Sequence, residues 1–287
     1  MKILDSDKAA FIWRLMLVFI LFSSVITACA FGALAVSSAD DFGRYMPHTT
    51  ESTLFRVFYL ISLSMAIVLP FTCLKGSSCV ADSSSVEGQA SVSEEPSMAL
   101  ISRIASLASR FSFVLPAALS LYVAYFALAD ESLGTWGNAF LIASFVSALF
   151  FLFKTLREMR VIKALCGFGV FALGALVIAS LYLDHVIEIN SDFKLMVQFA
   201  AAGIILGTIA DIRLLLSRTS RRWYILLKLV GFILCSICSA VIIPLMLKDG
   251  DALPASYLTY SWLYLAHALS TLFDILAWLF DGEQRHI

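Results

Sequence analysis

Eight stretches of this chain are apolar over roughly the length a membrane-spanning helix requires. They run approximately over residues 15–36, 57–74, 111–129, 139–156, 164–183, 195–216, 223–247 and 257–280. A helix rises ~1.5 Å per residue, so about 20 such residues cross a bilayer's hydrocarbon core. The stretches are much longer than barrel strands and none alternates with period two. The expected fold class is therefore all-α, a polytopic transmembrane helical bundle of about eight spans. Composition agrees: 60% of residues are AVILMFWYC and 14% are charged. A soluble domain carries about 25% charged residues to cover its surface. That excludes a soluble enzyme, a nucleic-acid-binding protein and a secreted disulfide scaffold. The lipid bilayer is the expected partner, with a membrane-protein partner of unspecified identity.

Basic residues orient such a bundle. With the N-terminus in the cytoplasm, sixteen of the 20 Lys and Arg fall on inner segments or inner span ends. Arg44, Arg56, Lys194 and Lys248 alone fall outside. An even number of spans then puts the C-terminus inside as well. The expected site is the cell (cytoplasmic) membrane.

Three segments follow. Residues 1–74 hold the first two spans. Residues 75–97 form a linker rich in serine and acids, with almost nothing bulky to bury, read as disordered and cytoplasmic. Residues 98–287 hold an interfacial helix and six further spans. In that helix Leu100, Ile104, Leu107 and Phe111 share one face, and Ser102, Arg103, Ser106, Ser109 and Arg110 the other. A plain extension of the third span is the alternative. The first span includes Ala28-Cys29-Ala30, which resembles a cleavage or lipidation site. The apolar run continues past it to Val36, as an uncleaved helix requires.

A charge in mid-bilayer costs about 2.5–3.5 kcal/mol on insertion scales, so each one needs a reason. Asp211 and Arg213 stand two residues apart and point about 200° away from each other, so they do not pair. Asp211 shares a face with Gly203 and Gly207, and Lys228 in the next span shares one with Gly231, Cys235 and Ser239. A buried Asp211–Lys228 ion pair is expected, and reciprocal charge exchange is expected to restore expression lost by either single reversal. The last span carries Tyr260, Tyr264, His267, Thr271 and Asp274 at steps of four, three, four and three, which is one helical stripe. Three readings stand for this stripe: hydrogen-bonding glue between helices, the lining of a path for a proton, ion or small solute, or a catalytic His–Asp set. Gln198, one turn from Lys194, is a further candidate for bonding across helices.

Signatures of metal, nucleotide and nucleophile chemistry are missing from the sequence, so no cofactor or metal is expected. Cys235-Ser-Ile-Cys238 lies mid-span and reads as packing. Asn190-Ser191-x-x-Lys194-x3-Gln198, followed by Asp211-Ile212-Arg213, resembles a pattern in a group of uncharacterised polytopic bacterial membrane proteins of similar length. In that group the acid is Glu where this chain has Asp211. The resemblance implies a bacterial cytoplasmic membrane and a similar fold. The leading expectation is a non-enzymatic membrane component. A small-solute or ion transporter and an intramembrane lipid-acting enzyme are the alternatives.

Overall fold

The computed structural model describes residues 6–38, 53, 57, 59–64, 67–68, 104, 107–129, 135–156, 159–183, 191–216, 221–248, 250 and 253–280. Its seven main helices are α1 (Ser6–Ser38), α2 (Val114–Ala129), α3 (Thr135–Lys154), α4 (Arg160–Leu183), α5 (Asp192–Leu215), α6 (Arg221–Lys248) and α7 (Ala255–Phe280). Among the described residues there is no strand.

Six helical stretches are long and apolar enough to cross a membrane: Leu15–Leu34, Leu107–Ala129, Trp136–Lys154, Arg160–Leu183, Phe193–Leu215 and Trp223–Lys248. Helix α7 is long enough at 26 residues. It carries a polar stripe of Tyr260, Tyr264, His267, Thr271 and Asp274. Half of the expected second span, 57–74, falls outside the described residues, and the 75–97 linker wholly so.

The third stretch starts earlier than its apolar residues suggest, at Leu107. The helical ladder is interrupted at Phe113 and resumes at Val114. Pro116 explains the interruption, because it has no N–H to offer the carbonyl of Ser112. Nearby, the Ser112 and Ser120 hydroxyls donate to the carbonyls of Ser109 and Pro116, at 2.7 and 2.8 Å. The described end of the expected interfacial helix, residues 107–110, thus runs into the third stretch.

On α2 most large side chains face outward and small ones inward. On α2, Leu115, Leu121, Tyr125 and Leu128 are exposed, while Ala117, Ser120, Ala124 and Ala127 are buried against neighbouring helices. On α1, Leu15, Phe19 and Phe22 point outward in the same way. This is the pattern of a bundle solvated by lipid, where small residues let backbones approach. Helices adjacent in sequence from α2 to α7 pack on each other, and α1 packs on α6. Helix α6 is therefore central, touching α1, α5 and α7.

Two close approaches set these crossings. A Cβ on Gly231 would lie 2.7 Å from the Gly203 carbonyl oxygen, so α5 and α6 meet backbone to backbone. A Cβ on Gly32 would collide with the Ala240 carbonyl oxygen, which fixes α1 on α6 in the same way. Backbone cannot swing aside as a side chain can. Gly231→Ala should therefore cost about 1–3 kcal/mol, typical of overpacking. Gly250→Ala is the control, since nothing lies within 4 Å of a Cβ there. Thermal unfolding in lipid nanodiscs should show a lowered midpoint for the first variant only. Equal midpoints would remove the crossing from the account.

A buried four-charge cluster as candidate functional site

Helices α3, α5 and α7 run in the same direction, and each carries a charge toward its C-terminal end: Lys154, Asp211 and Asp274. Helix α6 runs the opposite way and supplies Lys228 two turns from its start. The four charges meet. Lys154 Nζ lies 2.7 Å from the Asp211 carboxylate and 3.3 Å from that of Asp274. Lys228 Nζ lies 2.8 and 3.1 Å from the same two groups. Each ammonium therefore touches both carboxylates, and each carboxylate both ammoniums. Formal charge within the cluster sums to zero.

The rest of the shell completes the bonding. Ser109 Oγ donates to Asp274 Oδ1 at 2.7 Å. The Lys154 ammonium sits 3.8 Å from the centre of the Phe113 ring, and Lys228 5.8 Å from that of Tyr224. A cation over an aromatic face is attracted by the ring's quadrupole, more strongly when desolvated. Side-chain exposure is 1% for Lys228, 6% for Asp211, 11% for Asp274 and 13% for Lys154. The Lys154–Asp274 edge is thus the more open one. Helices from both halves of the bundle are tied at this one point.

The Asp211–Lys228 contact anticipated from sequence is one edge of this ring. Asp274, assigned there to a separate stripe, joins it. Arg213 is exposed and points elsewhere. Gln198 is half-buried and lies about 20 Å from Asp211 along α5, at ~1.5 Å per residue. Tyr260, Tyr264, His267 and Thr271 are all buried. Tyr260 stacks on Phe140 of α3 with ring centres 6.4 Å apart, and His267 meets the edge of Phe151 at 6.0 Å.

Two members were missed. Lys154 reads from sequence as a residue that snorkels at the end of its span, and Ser109 as part of a headgroup-facing surface. A signal for Lys154 was present. Phe140, Ser144, Ser147, Phe151 and Lys154 repeat the spacing of Tyr260, Tyr264, His267, Thr271 and Asp274 at a constant offset. The two matching faces oppose each other, joined at Phe140–Tyr260, Phe151–His267 and Lys154–Asp274.

The chemistry open to this arrangement is restricted. Asp274 spends its oxygens on Ser109, Lys154 and Lys228, while neither ring nitrogen of His267 has a hydrogen-bond partner among the described residues. The two are therefore not coupled as base and orienter. Among the described residues no group of three or more His, Cys, Asp and Glu is placed to hold a metal. Cys235 Sγ lies 3.4 Å from the Ala200 carbonyl oxygen and Cys238 Sγ 3.9 Å from Ser261 Oγ, both in packed helix contacts.

No known protein family, no curated protein and no solved structure matches this chain.

The ring changes what charge exchange should do. Exchanging Asp211 and Lys228 sets a second ammonium beside Lys154 and a second carboxylate beside Asp274, so the exchange should fail to rescue. Paired neutralisation should succeed better. Removing one partner of a buried pair costs about 3–5 kcal/mol because the other charge is stranded. Asp211→Asn with Lys228→Met leaves Lys154 and Asp274 still paired at 3.3 Å. The double variant should therefore unfold at a higher temperature than either single variant. A double variant at or below the sum of the two single losses would show that the charges act independently.

Proposed function

We propose that this chain is a multi-pass membrane component with no catalysis of its own, whose buried polar groups hold its helices, and a membrane partner, in register. In this reading it has eight spans and both termini in the cytoplasm. The motif running from Asn190 to Arg213 adds kinship with uncharacterised bacterial proteins of the cytoplasmic membrane.

The observation that carries the reading is the closure of the ion cluster. All four charges satisfy one another, and the two at its centre, Asp211 and Lys228, are almost fully shielded. A carboxylate or ammonium that works on a substrate needs a free lone pair, a labile proton or a path to solvent. A neutral ring with two ammoniums on two carboxylates supports a fixed registry instead. The distribution of Lys and Arg supports the orientation, by the positive-inside rule.

Purified protein in sealed liposomes tests this directly. The proteoliposomes should hold proton, sodium and potassium gradients as long as protein-free liposomes do. A leak that scales with protein content and falls with His267→Phe would instead favour a transporter that uses the α7 stripe. A fluorescent protein fused to the C-terminus should fluoresce as cytoplasmic fusions do. A dark but full-length fusion would reverse the orientation.

A further inference from the structure

Serine and threonine hydroxyls inside an apolar bundle have a ready acceptor, the carbonyl one turn back on their own helix. Ser24, Thr27, Ser120, Ser147 and Ser239 all take it, at 2.7 to 2.8 Å. Ser144, Thr208 and Thr271 do not, and among the described residues their hydroxyls bond to nothing. The Tyr264 hydroxyl and both His267 ring nitrogens share that condition. A buried polar group left unpaired costs about 1–3 kcal/mol, and lipid offers no alternative partner.

These five residues are not scattered. Ser144 on α3 and Tyr264 on α7 each stand four residues beyond the stacked Phe140–Tyr260 pair, so they lie at one level. Thr208 on α5 and Thr271 on α7 each stand three residues before an aspartate of the cluster, and both aspartates contact Lys154. That puts Thr208 and Thr271 at one level too, next to the ion ring. His267 lies between the levels. Gly207, beside Thr208, lets α5 approach the imidazole, because a Cβ there would come within 2.9 Å of Nε2. The five residues form one polar strip along the seam of α3, α5 and α7, ending on the cluster.

We propose that this strip is a hydration site, which binds water-sized neutral hydrogen-bonding molecules inside the bundle. The lining selects that class. It offers hydroxyls, which both donate and accept, and an imidazole with one nitrogen of each kind when neutral. Among the described residues, the charges that meet its inner end are the two ammoniums and two carboxylates that already satisfy one another, and they leave no net charge to attract an ion of either sign. Neighbouring groups on one helix face stand about 5–6 Å apart, a spacing that one bridging molecule closes. Buried waters of this kind make 2–4 bonds to otherwise unsatisfied groups, at roughly one per 27 residues in globular proteins. The site goes beyond the structural role proposed above and holds whether or not the chain also transports anything.

Hydroxyl-radical footprinting tests it on the unaltered protein. The full chain in lipid nanodiscs is irradiated in 18O-labelled water, and oxidation is read residue by residue. Phe140 and Phe150 are fully buried aromatic controls. Corrected for intrinsic reactivity, Tyr264 and His267 should take up label roughly an order of magnitude faster than those controls, as residues touching bound water do. Thr208→Val combined with Thr271→Val keeps side-chain shape and removes two water partners, so it should slow labelling of His267. Rates at Tyr264 and His267 equal to those at Phe140 and Phe150 would overturn the proposal. So would labelling of His267 unchanged in the Thr208→Val, Thr271→Val protein.

Discussion

The contact of Lys154 and Lys228 with Asp211 and Asp274 is the constraint on which the remaining architecture rests. Helices in lipid gain nothing by hiding apolar surface from one another, since lipid tails are equally apolar. Apolar packing alone therefore leaves a helix free to slide or rotate about its axis. A buried charge does not allow this. Moving any one of α3, α5, α6 or α7 by a turn would strand an ammonium or a carboxylate in hydrocarbon. The ring fixes depth and rotation for all four helices at once, with Ser109 tying in the start of the third stretch.

Small residues make that ring reachable. Lys228 meets Asp211 across the α5–α6 crossing, where Gly231 and Gly203 bring the two backbones together. Asp211 lies two turns beyond Gly203 on α5, and Lys228 nearly one turn before Gly231 on α6. Antiparallel neighbours joined at the glycines thus carry both charges to the same side of the crossing, and the length of the Lys228 side chain spans the remaining offset to Asp211. On α3 the reach comes from length instead. Lys154 extends over the Phe113 ring, and the ring's face takes over part of the solvation that water would have given.

Much of this was legible in the sequence, and the gaps have physical causes. Long apolar runs specify helices, and single charges within them mark positions that need partners. Asp211 and Lys228 were readable as a pair because a short connection makes their helices neighbours. Lys154 and Asp274 were not, because α3 and α7 are separated by more than a hundred residues. Periodicity within one helix says which residues share a face, but not which face of which other helix it meets. Lys154 also sits at a span end, where a long flexible side chain has water as a plausible alternative. Ser109 was misread for a related reason: its helical face is polar, and polarity alone does not separate a headgroup from a buried carboxylate. The partner of the α7 stripe was the other gap. Its stripe places Tyr260, His267 and Asp274 against α3. The hydration site was not legible at all. Whether a hydroxyl bonds back to its own helix is a matter of rotamer, on which Ser144 and Ser147 differ despite identical chemistry.

Solid-state NMR of the protein in bilayers, with 15N-labelled lysine side chains and 13C-labelled aspartate carboxyls, tests the ring most directly. Lys154→Met and Lys228→Met identify the two ammonium signals by their disappearance. In the otherwise unaltered protein both signals should be strongly dephased by carboxylate carbon, as contacts of 2.7 to 3.3 Å require. Each should lose part of that dephasing in Asp211→Asn and part in Asp274→Asn, because each ammonium serves both acids. Two lysine signals without carboxylate contact, or signals that respond to only one of the two acids, would contradict a closed four-charge ring.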